Sequence, residues 1–110
     1  MKLQQKFKTL ESEQSALLAT NFYNYETVNA VLQAAAAAGM PIILQASPST
    51  INYLGVDMTA SLAKAAIRKH NVEAWLHLDH AESVDLIRDC LDAGFDSVMI
   101  DASENRLSRI

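Results

Sequence analysis

The feature that most constrains the fold of this chain is a pattern that occurs twice. Residues 37–47 and residues 92–103 each contain a helix end, a glycine, an apolar run and a polar end, in that order. Glycine commonly ends helices, and near-continuous apolar runs are typical of strands that are buried on both faces of a parallel sheet. Repeated units of this kind predict parallel strands that are joined by right-handed crossover helices.

Apolar runs and stretches of helical periodicity alternate along the rest of the chain as well. The predicted strands are residues 16–21, 41–47, 74–79 and 96–101. The predicted helices run from the Asn24 cap to Gly39, from near Asp57 to Asn71, and from Ser83 to Gly94. The predicted fold class is therefore α/β, with four parallel strands and three complete crossover helices.

Both ends of the chain lie outside these three complete units. Residues 1–13 are polar and predict a short lead-in helix, whereas residues 105–110 begin like a further helix. The chain then ends at Ile110 with no glycine or proline nearby. We therefore expect residues 1–110 to form a single, incomplete domain.

The composition excludes several classes of protein. Half of the 110 residues are hydrophobic, which is enough for a core and too apolar for intrinsic disorder. The net charge is −4 and the basic residues are scattered, so we expect neither a nucleic-acid partner nor a membrane. The N-terminus lacks the apolar segment of a secretory signal, and the single cysteine, Cys90, cannot form an internal disulfide. These features favour a cytoplasmic location.

Polar residues are concentrated where the predicted strands end, which is where α/β proteins bind their ligands. These ends carry Asn21, Ser47, residues 77–80 and residues 101–103. The run His-Leu-Asp-His at 77–80 is the densest, because an imidazole beside a carboxylate offers a metal ligand next to a general acid or base. Strand alternation places its aspartate and its second histidine on opposite faces, so they share one site only if the backbone turns between them. The alternative is that these side chains only hydrogen-bond the loops at the edge of the sheet.

The remaining strand ends leave further alternatives open. Asp101 could neutralise a cation or accept backbone N–H groups. Ser47, together with Ser49 and Thr50, could bind phosphate, or it could cap the turn at Pro48. A zinc site needs three or four protein ligands, and the chain does not convincingly complete one. The glycine motifs of nucleotide-binding loops and the strand-end lysine of Schiff-base chemistry are not found in the sequence.

Four segments occur in an order that resembles one enzyme family. They are Ala-Thr-Asn-Phe-Tyr-Asn at 19–24, Ile-Leu-Gln-Ala-Ser at 43–47, Trp-Leu-His-Leu-Asp-His at 75–80 and Ser-Val-Met-Ile-Asp-Ala-Ser at 97–103. Together they resemble the N-terminal half of a class II, zinc-dependent ketose-bisphosphate aldolase of the fructose or tagatose bisphosphate type. The resemblance covers roughly residues 16–105.

This resemblance implies a fold, a reaction and a set of site residues. Members of the family are (β/α)8 TIM barrels that cleave fructose or tagatose 1,6-bisphosphate reversibly into dihydroxyacetone phosphate and glyceraldehyde 3-phosphate. Zinc stabilises the enediolate as a Lewis acid. By position, Asp79 matches the acid/base that acts on the aldehyde-side hydroxyl, and His80 matches the first zinc-binding histidine. Asp101 matches a carboxylate of a second or alternate metal position, and Ser47 and Asn21 match substrate-contacting positions.

The resemblance also implies what the chain does not contain. The other two zinc histidines and the phosphate-binding glycines of the family lie beyond Ile110, and four strands leave the barrel open. We therefore expect a truncated chain that is inactive alone, derived from a homo-oligomeric, cytoplasmic enzyme of glycolysis. One alternative is a half-barrel structural or binding module that pairs with itself through its open edges. Another is a barrel enzyme of different chemistry.

Overall fold

A computed structural model of the chain describes residues 1–102, and the helix predicted to begin near residue 105 lies outside them. The order of elements is α1 (Leu3–Ser12), β1 (Ala19–Asn21), α2 (Tyr25–Ala38), β2 (Ile42–Ala46), α3 (Pro48–Leu54), α4 (Val56–His70), β3 (Ala74–Ala81), α5 (Val84–Asp92) and β4 (Ser97–Ile100). The strands form one parallel sheet in the order β1-β2-β3-β4. This confirms the predicted fold class. Within residues 1–102, the structure contains no helix of the length and hydrophobicity that a bilayer crossing needs.

Helix α2 is bounded by the two residues predicted from the sequence, Asn24 and Gly39. The Asn24 side chain accepts a hydrogen bond of 2.9 Å from the backbone N–H of Thr27, and Thr27 closes the capping box. Gly39 follows the last residue of the helix with a φ of 65°, a left-handed conformation that costs glycine little. These two residues therefore set the bounds of α2.

The second crossover contains two helices where one was predicted. α3 begins at Pro48, directly after β2, in the segment where a turn was expected. Proline suits the first turn of a helix because its φ is already helical and its missing N–H is not needed there. Gly55 then separates α3 from α4 with a φ of 89°, which a continuous helix does not allow. Thr50 and Ile51 of α3 are buried, so this short helix is held by tertiary packing.

The two faces of the sheet are covered by different elements. On one face, Leu44, Leu76 and Leu78 are fully buried in the main core, which includes residues of α2, α4 and α5. We call the opposite face the inner face. Its amino-terminal part is covered by α1, where Ile43 and Trp75 pack with Leu3 in a separate apolar cluster.

Polar contacts fasten α1 in this position. The indole Nε1 of Trp75 donates a hydrogen bond of 3.0 Å to the carbonyl oxygen of Met1. The Lys6 ammonium lies 3.0 Å from the Glu73 carboxylate, just before β3. The predicted lead-in helix is therefore part of the packed structure, and its contacts lie at the amino-terminal part of the inner face.

Candidate active site

The carboxyl ends of the four strands lie at one edge of the sheet because all four strands are parallel. Asn21 is the last residue of β1, and Ser47 directly follows β2. Asp79 and His80 lie near the end of β3, and Asp101 directly follows β4. The structure thus brings all five site residues expected from the sequence to the same edge.

A β-bulge in β3 brings Asp79 and His80 together. Leu78 pairs with Val98, but the next recorded pair is Ala81 with Ile100, so β3 advances three residues while β4 advances two. His80 takes a φ of 49° within this bulge, in the left-handed region that side-chain-bearing residues seldom occupy. Strand alternation is therefore broken between the two residues, and the ring Nε2 of His80 lies 3.5 Å from Asp79 Oδ2. The backbone turn that a shared site requires is therefore present. It lies within β3, which continues to Ala81, and not beyond the end of the strand.

The imidazole of His80 lies between two carboxylates. Its Nδ1 is 3.2 Å from Asp101 Oδ2, and its Nε2 faces Asp79. The His80 side chain is 60% exposed, whereas those of Asp79 and Asp101 are 17% and 21% exposed. A carboxylate on one ring nitrogen commonly orients an imidazole whose other nitrogen binds a metal. The cluster therefore presents an accessible, oriented imidazole.

These residues match a zinc site in the type of donor but not in number. Zinc is bound by imidazole nitrogen, thiolate sulfur and carboxylate oxygen, usually through three or four protein ligands. Among residues 1–102, no group of three or more histidine, cysteine or acidic side chains is arranged to hold a metal ion. Burial raises the pKa of Cys90 to about 11, so this thiol stays protonated at neutral pH. His80 is thus a suitable single ligand within the part of the chain that the structure describes.

A row of polar side chains crosses the inner face on the amino-terminal side of this cluster. Asn21 pairs with Gln45, Gln45 with His77, and His77 with Ser97, so one residue from each strand lies at the same level. Gln45 donates a hydrogen bond of 2.9 Å to the side-chain oxygen of Asn21. His77 Nδ1 and Ser97 Oγ lie 2.6 Å apart. We call these four residues the polar row.

Sequence reasoning did not single out Gln45 and Ser97 as site residues. A signal was present for Gln45, because it is a polar residue in the middle of a buried strand, between apolar neighbours. Ser97 carried no comparable signal, since it begins a strand, where polar residues are common. Only the register between β3 and β4 identifies it as the neighbour of His77.

His77 connects the polar row to Asp79, the candidate acid/base. Its Nε2 lies 3.9 Å from Asp79 Oδ1, and its side chain is 18% exposed. Burial lowers the pKa of His77 below its ordinary value, and the nearby Asp79 charge opposes this effect without cancelling it. The lowered pKa favours the neutral imidazole of His77 at pH 7.

Ser47 occupies the cap position of α3, but its hydroxyl makes no capping hydrogen bond. Its Oγ lies 2.9 Å from Ser49 Oγ and 3.4 Å from Thr50 Oγ1. The structure thus groups the three hydroxyls that the sequence suggested, at the edge where the other site residues lie. Neither of these two contacts joins Ser47 to Asp79 or His80.

The sheet defines the class of fold: four parallel strands joined by helices, the arrangement of half a (β/α)8 barrel. The YdjI aldolase of Escherichia coli K12 superposes with a TM-score of 0.84 at 21% identity, and the match covers 98% of this chain and 42% of that one. The fructose-bisphosphate aldolase of Campylobacter jejuni gives a TM-score of 0.78 at 25% identity, over 97% of this chain and 38% of that one.

Sequence comparison identifies the family. Residues 1–109 match the sequence model of the family described as fructose-bisphosphate aldolase class-II. The chain therefore belongs to the class II fructose-bisphosphate aldolase family. The fructose-bisphosphate aldolase of Helicobacter pylori J99 is 38% identical over 88 residues, which are 79% of this chain and 29% of the relative. That of Treponema pallidum Nichols is 37% identical over 93 residues, which are 80% of this chain and 28% of the relative.

These figures confirm the resemblance that the four segments indicated. They also show that the chain spans less than a third of the length of these two relatives.

Proposed function

We propose that this chain supplies the N-terminal half of a zinc-dependent class II ketose-bisphosphate aldolase. The substrate class is a ketose 1,6-bisphosphate, of the fructose or the tagatose type. The names of the sequence relatives favour fructose. The observation that carries this proposal is the cluster of Asp79, His80 and Asp101 at the carboxyl edge of the sheet.

In this proposal Asp79 is the catalytic acid/base. Its carboxylate moves the proton of the aldehyde-side hydroxyl as the carbon–carbon bond breaks or forms. Support comes from its position between two imidazoles, with one oxygen 3.5 Å from His80 and the other 3.9 Å from His77. Both distances are longer than a hydrogen bond, so the two rings flank the carboxylate and leave its oxygens available to a substrate hydroxyl.

His80 is proposed as one zinc ligand, and the remaining ligands come from the part of the barrel that this chain does not contain. When bound, the metal supplies Lewis-acid polarisation of the substrate carbonyl. Asp101 is proposed to serve the metal region, either as a ligand of an alternate position or through its contact with His80. The exposure of the His80 ring supports this role, because a metal can reach it.

Ser47 and Asn21 are proposed to bind the substrate. The Ser47 hydroxyl, grouped with those of Ser49 and Thr50, offers hydrogen bonds to a phosphate or a sugar hydroxyl. Asn21 is already hydrogen-bonded to Gln45, which holds its amide in place and leaves its N–H donors for a ligand.

The complete enzyme is further proposed to be a homo-oligomer of cytoplasmic carbohydrate metabolism, acting in glycolysis. The unpaired, buried thiol of Cys90 supports a reducing location. The family membership supports the pathway.

We expect the 110-residue chain to be inactive alone and active when the barrel is completed. The decisive experiment co-expresses the chain with the C-terminal remainder of the Helicobacter pylori relative and measures zinc-dependent cleavage of fructose 1,6-bisphosphate. Asp79→Ala should lower kcat of the completed barrel by about 100- to 10,000-fold, the usual contribution of a general acid or base.

Asp85→Ala is the matched control for this experiment. Asp85 is also an aspartate, but its side chain lies on α5 and is 92% exposed. Its substitution should leave cleavage within about twofold, as is usual for exposed sites. Equal rates for Asp79→Ala and the unsubstituted barrel would remove Asp79 from the mechanism, and strong cleavage by the chain alone would contradict the incomplete site.

A second candidate function is a half-barrel that pairs with itself. It is favoured by exposed apolar residues beside both outer strands, with Leu18 61% exposed next to β1 and Ile100 69% exposed in β4. Light scattering of the purified chain distinguishes the two candidates. A well-folded symmetric dimer supports self-pairing, whereas a monomer or an aggregate supports an incomplete barrel.

A further inference from the structure

Ser97 has no role in the assignments above, although its contact with His77, at 2.6 Å, is among the shortest in the described structure. We propose that Ser97 and His77 are positioning residues that hold the Asp79 carboxylate in one orientation through the Nε2–H tautomer of His77. The proposal deepens the proposed function, because it rests on the role of Asp79 as the acid/base.

The geometry places the His77 ring between two oxygen atoms. On one side, Nδ1 lies 2.6 Å from the hydroxyl oxygen of Ser97, on the neighbouring strand. On the other side, Nε2 lies 3.9 Å from Asp79 Oδ1, on the same strand. Register aligns His77 with Ser97, and strand alternation places His77 and Asp79 on the same face. The backbone of the sheet therefore sets the positions of all three residues.

Electrostatics selects the tautomer of this ring. A neutral imidazole carries one N–H, and its other nitrogen is an acceptor. If the hydrogen were on Nδ1, the lone pair of Nε2 would face the Asp79 carboxylate, which is repulsive. With the hydrogen on Nε2, the N–H dipole points toward that carboxylate, and the Ser97 hydroxyl can rotate to donate to Nδ1. Both contacts are favourable only in the second arrangement.

The result is a carboxylate whose two oxygens face different rings. Oδ1 faces His77 and Oδ2 faces His80. The distance of 3.9 Å to His77 is too long for a hydrogen bond, so this contact orients Asp79 through charge and dipole. Ser97 acts at one remove, because its hydroxyl holds the His77 ring beside Asp79 while the Asp79 charge selects the tautomer.

The tautomer can be measured on the 110-residue chain itself. Long-range proton–nitrogen correlation spectra of the nitrogen-15-labelled chain, in mildly alkaline buffer, report which ring nitrogen of each histidine carries the hydrogen. We expect the Nε2–H form of His77 to exceed the Nδ1–H form by about tenfold, the ratio that about 1.4 kcal/mol gives. A predominant Nδ1–H form would overturn the proposal.

Two substitutions of Ser97 test its part in this preference. Ser97→Ala removes the partner of Nδ1, so the ring is no longer held beside Asp79 and we expect the ratio of tautomers to fall several-fold. Ser97→Thr keeps the hydroxyl and should restore it. His70 is the internal reference, since its Nε2 contacts Asn29 on a helix and should not change in either variant. An unchanged His77 ratio in a folded Ser97→Ala chain would contradict the role of Ser97.

A substitution on the other side of the ring keeps the test decisive if Ser97→Ala does not fold. Asp79→Asn removes the charge that favours the hydrogen on Nε2 and nearly preserves the shape of the side chain. We expect the population of the Nδ1–H tautomer to rise several-fold, and no change would overturn the proposal.

In the completed barrel, Ser97→Ala should lower kcat about tenfold with little change in KM, because it disturbs the orientation of a reacting group. Ser97→Thr should recover most of that loss. A barrel without any aldolase activity would contradict the proposed function while the tautomer measurement still stands. A normal kcat in Ser97→Ala would contradict the positioning role while leaving the aldolase assignment intact.

Discussion

The inner face of β3 differs strongly between its two ends. At the amino-terminal end, Trp75 is 4% exposed and packs with Ile43 and Leu3 under α1. At the carboxyl-terminal end, the largely buried Asp79 and the exposed His80 form a polar cluster. One strand therefore serves two purposes. Its first residues fasten the sheet to α1, and its last residues carry the candidate chemistry.

The two ends also differ in how far they favour folding. Burial of an aromatic side chain and its neighbours stabilises the folded chain by several kcal/mol. The carboxyl end instead contains a left-handed backbone at His80 and a desolvated imidazole at His77. Both are unfavourable for folding taken alone. This contrast predicts that substitutions at the two ends have different effects on stability.

The largest effect is expected at the amino-terminal end. Trp75→Ala should lower the free energy of unfolding by about 3–5 kcal/mol, because it leaves a cavity under α1 and removes the hydrogen bond to Met1. Urea unfolding followed by circular dichroism measures this change. Tyr53→Ala is the control, since Tyr53 is 80% exposed and its loss should change stability by no more than about 0.5 kcal/mol. Similar losses in the two variants would mean that α1 does not stabilise the sheet.

A smaller effect is expected at the bulge, where two substitutions of His80 can be compared. Both His80→Gly and His80→Ala remove the imidazole, but only glycine accepts a φ of 49° without strain. We expect His80→Gly to be more stable than His80→Ala by about 1 kcal/mol, measured by the same urea unfolding. The order would reverse if the bulge were an ordinary extended strand, because glycine is then the less favourable residue.

Local signals in the sequence predicted the elements whose ends depend on neighbouring residues. Asn24 and Gly39 bound α2, and Ser83 caps α5, because caps and helix stops act within a few residues. α3 was missed because it is short, and its stability comes from burial of residues such as Ile51 against the rest of the fold. Local composition carries little information about such packing.

The candidate site could be predicted only in part for a related reason. The polar strand ends indicated the edge of the sheet, because parallel strands bring their carboxyl ends together. The bulge at His80 and the contact between His77 and Ser97 depend on how β3 and β4 pair. Register is a property of two strands that are distant in the chain, and a single strand does not encode it alone.

The smallest effect is a pH dependence that belongs to the carboxyl-terminal end. Burial lowers the pKa of His77 from its ordinary value of 6.5, so the unfolded chain takes up this proton at a higher pH than the folded chain does. Stability should therefore be complete above pH 6.5 and should decrease as the pH falls from there toward the lowered pKa of the folded state.

Urea unfolding between pH 7.5 and pH 5.5, roughly the range in which histidine titrates, measures this decrease. His77→Gln should remove the part of the decrease that this ring contributes, because glutamine does not titrate. His70→Gln is the matched control, as it removes a histidine at the far end of α4 and should leave the decrease in place. A chain whose decrease is the same with and without His77 would show that its ring is solvated in the folded state. In that case, burial of the His77 ring would not reduce the stability of the folded chain, and the two ends of β3 would differ only in their charge.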